Sequence, residues 1–174
     1  MANMDNKEWD ITNKPHTKNK LDIIRAVFDM WLTVWNGEKQ QRWIDKEWYV
    51  MDLFAGTGLY FEGKNKVSGS SLILLENIFK QASQLKKNKI KIKLFLVEIK
   101  KQNFTNLKQN IETFLDNHQT VKELLEVNFY NEDCNTAIDD ILSKINNSYK
   151  TPLFILIDPY GLQIKKQTII KIAT

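Results

Sequence analysis

The segment Asp52–Gly58, with the sequence DLFAGTG, constrains the fold of this chain more than any other segment. It follows directly after the apolar run Trp48–Met51. An acidic residue at the carboxyl end of a buried strand, followed by a turn with two glycines, is typical of a site where backbone approaches a small ligand closely. The segment therefore predicts the mouth of a pocket for a nucleoside cofactor.

Length and residue usage limit the class of protein. The 174 residues are 43% hydrophobic, which is enough for one core. No apolar stretch approaches the roughly 20 residues of a membrane span, and the first residues lack the apolar centre of a signal peptide. A single cysteine excludes an internal disulfide framework, and two distant histidines form no metal-ligand cluster. We expect a soluble, cytoplasmic protein without a metal.

The hydrophobic pattern alternates between strand-like and helix-like segments. Residues 1–46 form a helical lead-in, whose helix over 17–35 has Thr17 as its cap, and residues 47–174 form the main domain. Strands are predicted at about 48–54, 90–98, 124–129 and 153–157, with helices at about 70–85, 100–115, 134–145 and from 164. This alternation predicts an α/β fold, in which a parallel sheet carries helices on both faces.

An acidic residue follows each predicted strand: Asp52, Glu98, Asp133 and Asp158. In an open parallel sheet, ligands bind outside the carboxyl ends of the strands. Any one of these acids could instead belong to a turn, cap a helix or pair with a lysine. Four acids at corresponding positions favour a shared pocket.

The chemistry of these acids predicts separate contacts with a nucleoside. The carboxylate of Glu98 offers paired acceptors for a ribose diol. Asp133 accepts from an adenine amine, or caps the next helix, and the two roles are compatible. Cys134 is a packing residue rather than a nucleophile, because no basic partner is apparent. Asp158, with Pro159 and Tyr160, either holds a flat amine-bearing substrate or simply ends the strand in a turn.

The glycine turn by itself is also compatible with a simple tight turn. Phe61 occupies the place of the third glycine in a dinucleotide fingerprint, and no Gly-Lys-Ser/Thr phosphate loop exists. NAD and ATP are therefore disfavoured as cofactors. The seven lysines between Lys80 and Lys100 form either a basic patch for a phosphate-bearing partner or a solvated helix end and loop.

Together these segments resemble a Rossmann-like S-adenosylmethionine-dependent methyltransferase. The four motifs of the resemblance are Asp52–Gly58, Val97–Glu98, Glu132–Cys134 and Asp158–Gly161. More specifically, the chain resembles the three-Cys-motif partner protein family, TcmP, which is methyltransferase-like. That second resemblance lies in His16–Lys18 before a tryptophan-containing helix, DLFAG followed by Tyr60, Gly69–Leu72, and Ile157–Gly161.

The resemblance implies a binding site for S-adenosylmethionine. In it, Gly56 and Gly58 admit the methionine part, Asp52 helps to hold the ammonium group, Glu98 takes the ribose and Asp133 the adenine. The implied cofactor residues are Asp52, Phe54, Gly56, Gly58, Glu98, Asp133 and Cys134, and the implied catalytic residues are Asp158, Pro159 and Tyr160. A similar Asp-Pro-aromatic-Gly motif occurs in tRNA guanine-N2 dimethyltransferases, which suggests an amine of a nucleic-acid base as substrate.

The resemblance also raises the question of how the sheet is completed. A methyltransferase sheet normally continues beyond its fourth strand, whereas this sequence ends in the following helix. The strand at 153–157 is apolar on both faces and would form an exposed edge. We expect a truncated fold, a split gene product, or a partner chain that completes the sheet. The alternative functions are a non-catalytic, cofactor-binding partner subunit and a nucleotide-binding oxidoreductase.

Overall fold

The computed structural model describes residues 9–173 except 147 and 160. Its helices are α1 Pro15–Asn36, α2 Ser70–Lys87, α3 Lys101–Asn117, α4 Gln119–Lys122, α5 Cys134–Ser143 and α6 Lys166–Ala173, with a 3₁₀ turn at Gln40–Arg42. Its strands are β1 Glu47–Asp52, β2 Leu59–Glu62, β3 Asn65–Ser68, β4 Lys91–Val97, β5 Leu125–Tyr130 and β6 Leu153–Leu156. None of the helices in these ranges is long and apolar enough to cross a membrane.

Four strands form one sheet in the order β5-β4-β1-β6, and every neighbouring pair is parallel. In the register of the sheet, Val50 of β1 lies between Leu94 of β4 and Phe154 of β6. The prediction of a parallel sheet is therefore confirmed. Because all four strands run in one direction, their carboxyl ends lie along the same edge.

Alternate residues of the central strand feed two separate cores. Trp48 and Val50 pack into a cluster with side chains of α1, α2 and α3, whereas Tyr49 and Met51 pack against α5 and α6 on the other face. All four of these strand residues are at most 1% exposed. This period of two is what a strand covered on both sides requires. The predicted placement of helices on both faces is confirmed.

The connection between β1 and α2 differs from the sequence-based expectation of an irregular stretch. It contains an antiparallel hairpin of β2 and β3, which turns at Gly63 with φ +61°.

The start of the first helix also differs from the prediction. Thr17 as a cap is wrong, because α1 begins at Pro15 after Lys14, and no side chain caps it. Pro15 suits this first turn because its backbone lacks an N–H that would need a partner.

β6 lies at an edge of the sheet in the described part of the chain, where β1 is the strand that pairs with it. All four of its residues are partly exposed. Phe154 nevertheless packs edge-on against Phe28 of α1, with ring centroids 4.8 Å apart. The expectation that this apolar strand forms an edge is confirmed.

The lysines from Lys86 to Lys93 lie at the amino edge of the sheet, whereas Lys100 lies beyond the carboxyl end of β4 and lines the cavity. Lys93 of β4 pairs with Glu47 at the start of β1, with 3.0 Å between nitrogen and oxygen. Lys86, in the last turn of α2, pairs with Glu123 at 2.9 Å. These ion pairs favour the interpretation as a solvated helix end and loop, although Lys91 and Lys93 belong to β4 rather than to a loop.

Truncation of the central core tests this packing. Leu94 is fully buried in β4, so Leu94→Ala should lower the free energy of unfolding by about 2 to 5 kcal/mol in urea denaturation. Leu162 is fully exposed, so Leu162→Ala, the same chemical change, should alter stability by less than about 0.5 kcal/mol. Similar losses in the two variants would contradict the assigned core.

Candidate functional site

A cavity of about 580 Å³ opens at the carboxyl edge of the sheet. Its volume lies within the range of about 300 to 1,000 Å³ that is usual for small-molecule sites. The walls come from the segments after β1, β4, β5 and β6, together with the residues before α1 and its first turns. Residues distant in sequence therefore meet at the place where this fold class binds ligands.

Most of the predicted site residues line this cavity. Those that do are Phe54, Gly56, Glu98, Asp133, Cys134, Asp158 and Pro159. Asp52 and Gly58 lie behind the wall rather than in it. Tyr160, the third predicted catalytic residue, lies outside the described residues. The structure thus brings three of the four strand-end acids to one hollow and buries the other.

Glu98 is held in a fixed orientation at the end of β4. Its carboxylate oxygen Oε1 accepts a hydrogen bond of 2.7 Å from the backbone N–H of Lys100. The residue is only 9% exposed and lines the cavity. A nearly buried carboxylate that is oriented by backbone offers its remaining acceptor sites to a ligand. Paired hydroxyls of a sugar suit such a group.

Asp133 caps the amino end of α5, as one of its two predicted roles required. Its Oδ1 accepts from the backbone N–H of Asn135 at 2.7 Å and from the amide Nδ2 of the same residue at 2.6 Å. The cap fixes the Asp133 carboxylate and the amino end of α5 at the cavity wall. The first backbone N–H groups of a helix lack partners within the helix and can therefore donate to a ligand. Capping and adenine recognition remain compatible.

Cys134 is a buried thiol with no sign of nucleophilic activation. It is 4% exposed, and burial raises its pKa to about 11, with a further contribution from Asp133. The thiol is therefore protonated at neutral pH. No group of three or more His, Cys, Asp and Glu side chains in the described ranges could hold a metal ion.

Asp52 is a fully buried acid that ties β1 to α2. Its Oδ2 accepts from the hydroxyls of Ser70 at 2.6 Å and Ser71 at 2.9 Å, and its Oδ1 accepts from the N–H of Phe54 at 3.2 Å. Burial raises the pKa of Asp52 to about 6, although these hydrogen bonds oppose the shift. Of these residues, Ser70 and Phe54 line the cavity, so Asp52 positions part of the cavity wall without lining it.

The two glycines of the turn have different structural roles. Gly56, with φ +59°, lies under the indole of Trp9, whose Cη2 would be 2.9 Å from a Cβ at this position. Gly58, with φ +76°, faces the core, where a Cβ would lie 3.2 Å from Leu107. Both positive φ angles disfavour any other residue. Gly56 belongs to the cavity wall, whereas Gly58 is needed for helix packing.

Asp158 forms an ion pair that the sequence did not indicate. Its Oδ2 lies 2.8 Å from Nζ of Lys20 in α1, and both residues line the cavity. Tyr60 of β2 is close to the same acid: burial, followed by the charges of Asp158 and Asp52, raises the pKa of Tyr60 to about 12. The phenol is therefore neutral and can donate a hydrogen bond.

Sequence reasoning missed Trp9, Lys20 and Ser70 as cavity residues. Trp9 and Lys20 precede β1 by dozens of residues, and no local pattern connects them with the strand ends. Ser70 is the first residue of α2, after the capping residue Gly69, and its hydroxyl donates to Asp52.

No family model matches this chain, and no curated protein matches its sequence.

The buried carboxylate of Asp52 should make stability depend on pH. Its pKa of about 6 in the folded state exceeds the ordinary 3.8, so folding favours the protonated form. Its contribution to stability is largest below pH 4 and is lost as the pH rises to about 6. An asparagine side chain does not titrate, so Asp52→Asn should keep its free energy of unfolding over this pH range. The difference from wild type corresponds to about 3 kcal/mol for a pKa shift of about two units.

Urea unfolding of the wild type and of Asp52→Asn between pH 4 and 8 measures the effect. The stability of the variant relative to wild type should increase from pH 4 to pH 6 and then stay constant. Asp22→Asn, at an exposed position of α1, makes the same chemical change away from this site and provides the matched control. A difference between Asp52→Asn and wild type that is independent of pH would contradict the raised pKa.

Proposed function

We propose that this chain binds S-adenosylmethionine in the cavity and is a methyltransferase for an amine of a flat ring, such as a nucleic-acid base. The observation that carries the proposal is the meeting of Glu98, Asp133 and the Gly56 turn in one cavity at the carboxyl edge of a parallel sheet. The strand order places β4 and β5 on one side of β1 and β6 on the other. A nucleoside pocket and a reaction site on opposite sides of β1 fit this order.

The nucleoside half of the cofactor suits the side of the cavity at β4 and β5. Glu98 would accept from the ribose hydroxyls, because backbone already orients its carboxylate. Asp133 and the amino end of α5 would bind the adenine edge, which presents both a donor amine and acceptor nitrogens. Phe54 lines the same cavity and adds apolar contact area. The residues present therefore fit the cofactor.

The methyl-transfer half suits the side at β1 and β6. The cofactor supplies an electrophilic methyl group attached to a positively charged sulfur. Asp158 would accept a hydrogen bond from the attacking N–H and hold its nitrogen in line. The ammonium of Lys20 lies 2.8 Å from this carboxylate, which acts here as an acceptor. Pro159 follows in the wall and leaves no backbone N–H to compete.

The ion pair also favours a second candidate function. A carboxylate that already accepts from Lys20 has less capacity to accept from an amine. On this basis the chain would bind the nucleoside cofactor without turnover and act as a partner subunit. Cofactor binding by calorimetry, combined with the absence of methyl transfer to pooled RNA, DNA and protein, would support this candidate over the first.

The ribose contact is tested by Glu98→Gln, which keeps the shape of the side chain and removes its charge. Loss of a charged acceptor should weaken binding of S-adenosylhomocysteine about tenfold to a hundredfold in titration calorimetry. Glu126→Gln, at an exposed position of β5, makes the same change away from the cavity and should leave affinity unchanged. Equal affinities for wild type and Glu98→Gln would remove Glu98 from the proposed site.

The same titrations should include NAD and ATP with the wild-type chain. Binding of NAD or ATP in preference to S-adenosylmethionine would contradict the assignment of the cofactor. Thermal stabilisation offers an independent readout, because a ligand that binds only the folded state raises its melting temperature.

The acceptor contact is tested by Asp158→Asn. We expect cofactor affinity within about twofold of wild type and a rate of methyl transfer lower by about 100-fold or more, because the variant loses the charged acceptor. Transfer of labelled methyl groups to an unmodified RNA pool measures the rate, and calorimetry measures the affinity. Parallel loss of both quantities would indicate a structural role for Asp158.

A further inference from the structure

An indole ring covers the first glycine of the turn. Trp9 lines the cavity, and two atoms of its benzo ring, Cη2 and Cζ3, lie 2.9 and 3.0 Å from the position of a Cβ on Gly56. Contact this close is possible only because residue 56 has no side chain. The glycine turn therefore has an aromatic wall as well as exposed backbone.

The segment that carries Trp9 is held firmly against the hairpin. The carbonyl of Trp9 accepts from the N–H of Phe61 at 2.8 Å, and the N–H of Ile11 donates to the carbonyl of Phe61 at 2.7 Å. The hydroxyl of Thr12 accepts from the N–H of Gly63 at 2.9 Å. Ile11 itself is 1% exposed and packs in a third core cluster. Trp9 is thus fixed in place before any ligand binds.

The indole has a second aromatic ring beside it and charged side chains of both signs, including Lys14, in the same cavity wall. The ring of Tyr60 lies 5.4 Å from that of Trp9, at an angle of 60°. Asp158 lines the same cavity and is close enough to Tyr60 to raise its pKa. Aromatic rings carry partial negative charge on their faces and attract cations within about 6 Å. The ammonium of Lys20 neutralises part of the negative charge of Asp158. Attraction of a further cation therefore depends more on the aromatic rings.

We propose that Trp9 discriminates between the charged sulfonium cofactor and its neutral thioether product. This inference rests on the proposed function, and the resemblance to methyltransferases implies that the methionine part lies at the Gly56 turn. Cation–π attraction favours S-adenosylmethionine and is lost when the methyl group leaves with its charge. The product S-adenosylhomocysteine then binds less strongly at this wall, which favours exchange for fresh cofactor.

The experiment compares the affinities of S-adenosylmethionine and S-adenosylhomocysteine for four proteins by titration calorimetry. They are the wild type, Trp9→Leu, Trp9→Phe and the matched control Trp43→Leu, which changes a tryptophan that is 73% exposed. Trp9→Leu should lower the preference for S-adenosylmethionine about fivefold to thirtyfold. Trp9→Phe should retain most of the preference, and Trp43→Leu should retain all of it.

Each other outcome overturns the inference. An equal loss of affinity for both ligands in Trp9→Leu would make the indole an apolar wall without charge selectivity. An unchanged ratio would exclude Trp9 from the sulfonium site. If the wild-type protein binds neither ligand, the proposed function itself is contradicted. If the wild type binds both ligands and the variants keep the same preference, only the inference about Trp9 is contradicted. If Trp9→Leu fails to fold, Trp9→His takes its place, measured at pH 8. The inference is then supported if Trp9→Phe keeps the wild-type ratio of the two affinities and Trp9→His shows an about tenfold weaker preference for S-adenosylmethionine. Equal ratios in the wild type, Trp9→Phe and Trp9→His contradict it.

Discussion

The parallel pairing of β1 with both β4 and β6 is the constraint on which the rest of the structure depends. Parallel neighbours are joined through helices that cover both faces of the sheet, which explains why Trp48 and Met51 are both fully buried although they point to opposite sides. The same pairing aligns the strand ends, so that side chains from distant parts of the sequence meet there. The cavity is thus a consequence of strand direction rather than of any one motif.

Asp52 shows how the end of the central strand is stabilised. A buried carboxylate is costly, and two serine hydroxyls and a backbone N–H offset much of that cost. In return, the first turn of α2 is fixed against the glycine turn, where the N–H of Gly69 also donates to the carbonyl of Gly58 at 2.8 Å. The acid acts on the cavity by shaping its floor.

The periodic segments and the strand-end positions could be predicted from sequence, whereas long-range contacts could not. Glu98 and Asp158 were found because they directly follow apolar runs, and the direction of the sheet then brings them together. The β2–β3 hairpin was missed because its strands are only four residues long and neither alternates clearly: β2, LYFE, is mostly apolar, and β3, NKVS, is mostly polar. Lys20 and Trp9 were missed because their partners are far away in the chain. Burial of Asp52 depends on how α2 packs, which no local pattern encodes.

The attachment of Trp9 and Ile11 to the hairpin has a consequence for the design of shorter versions of this protein. A truncation that starts at Pro15 would keep every named strand and helix. It would nevertheless uncover Ile73, against which Ile11 packs, and would remove one side of the cavity. A fragment chosen by secondary structure alone would therefore keep the scaffold and lose part of its ligand-binding surface.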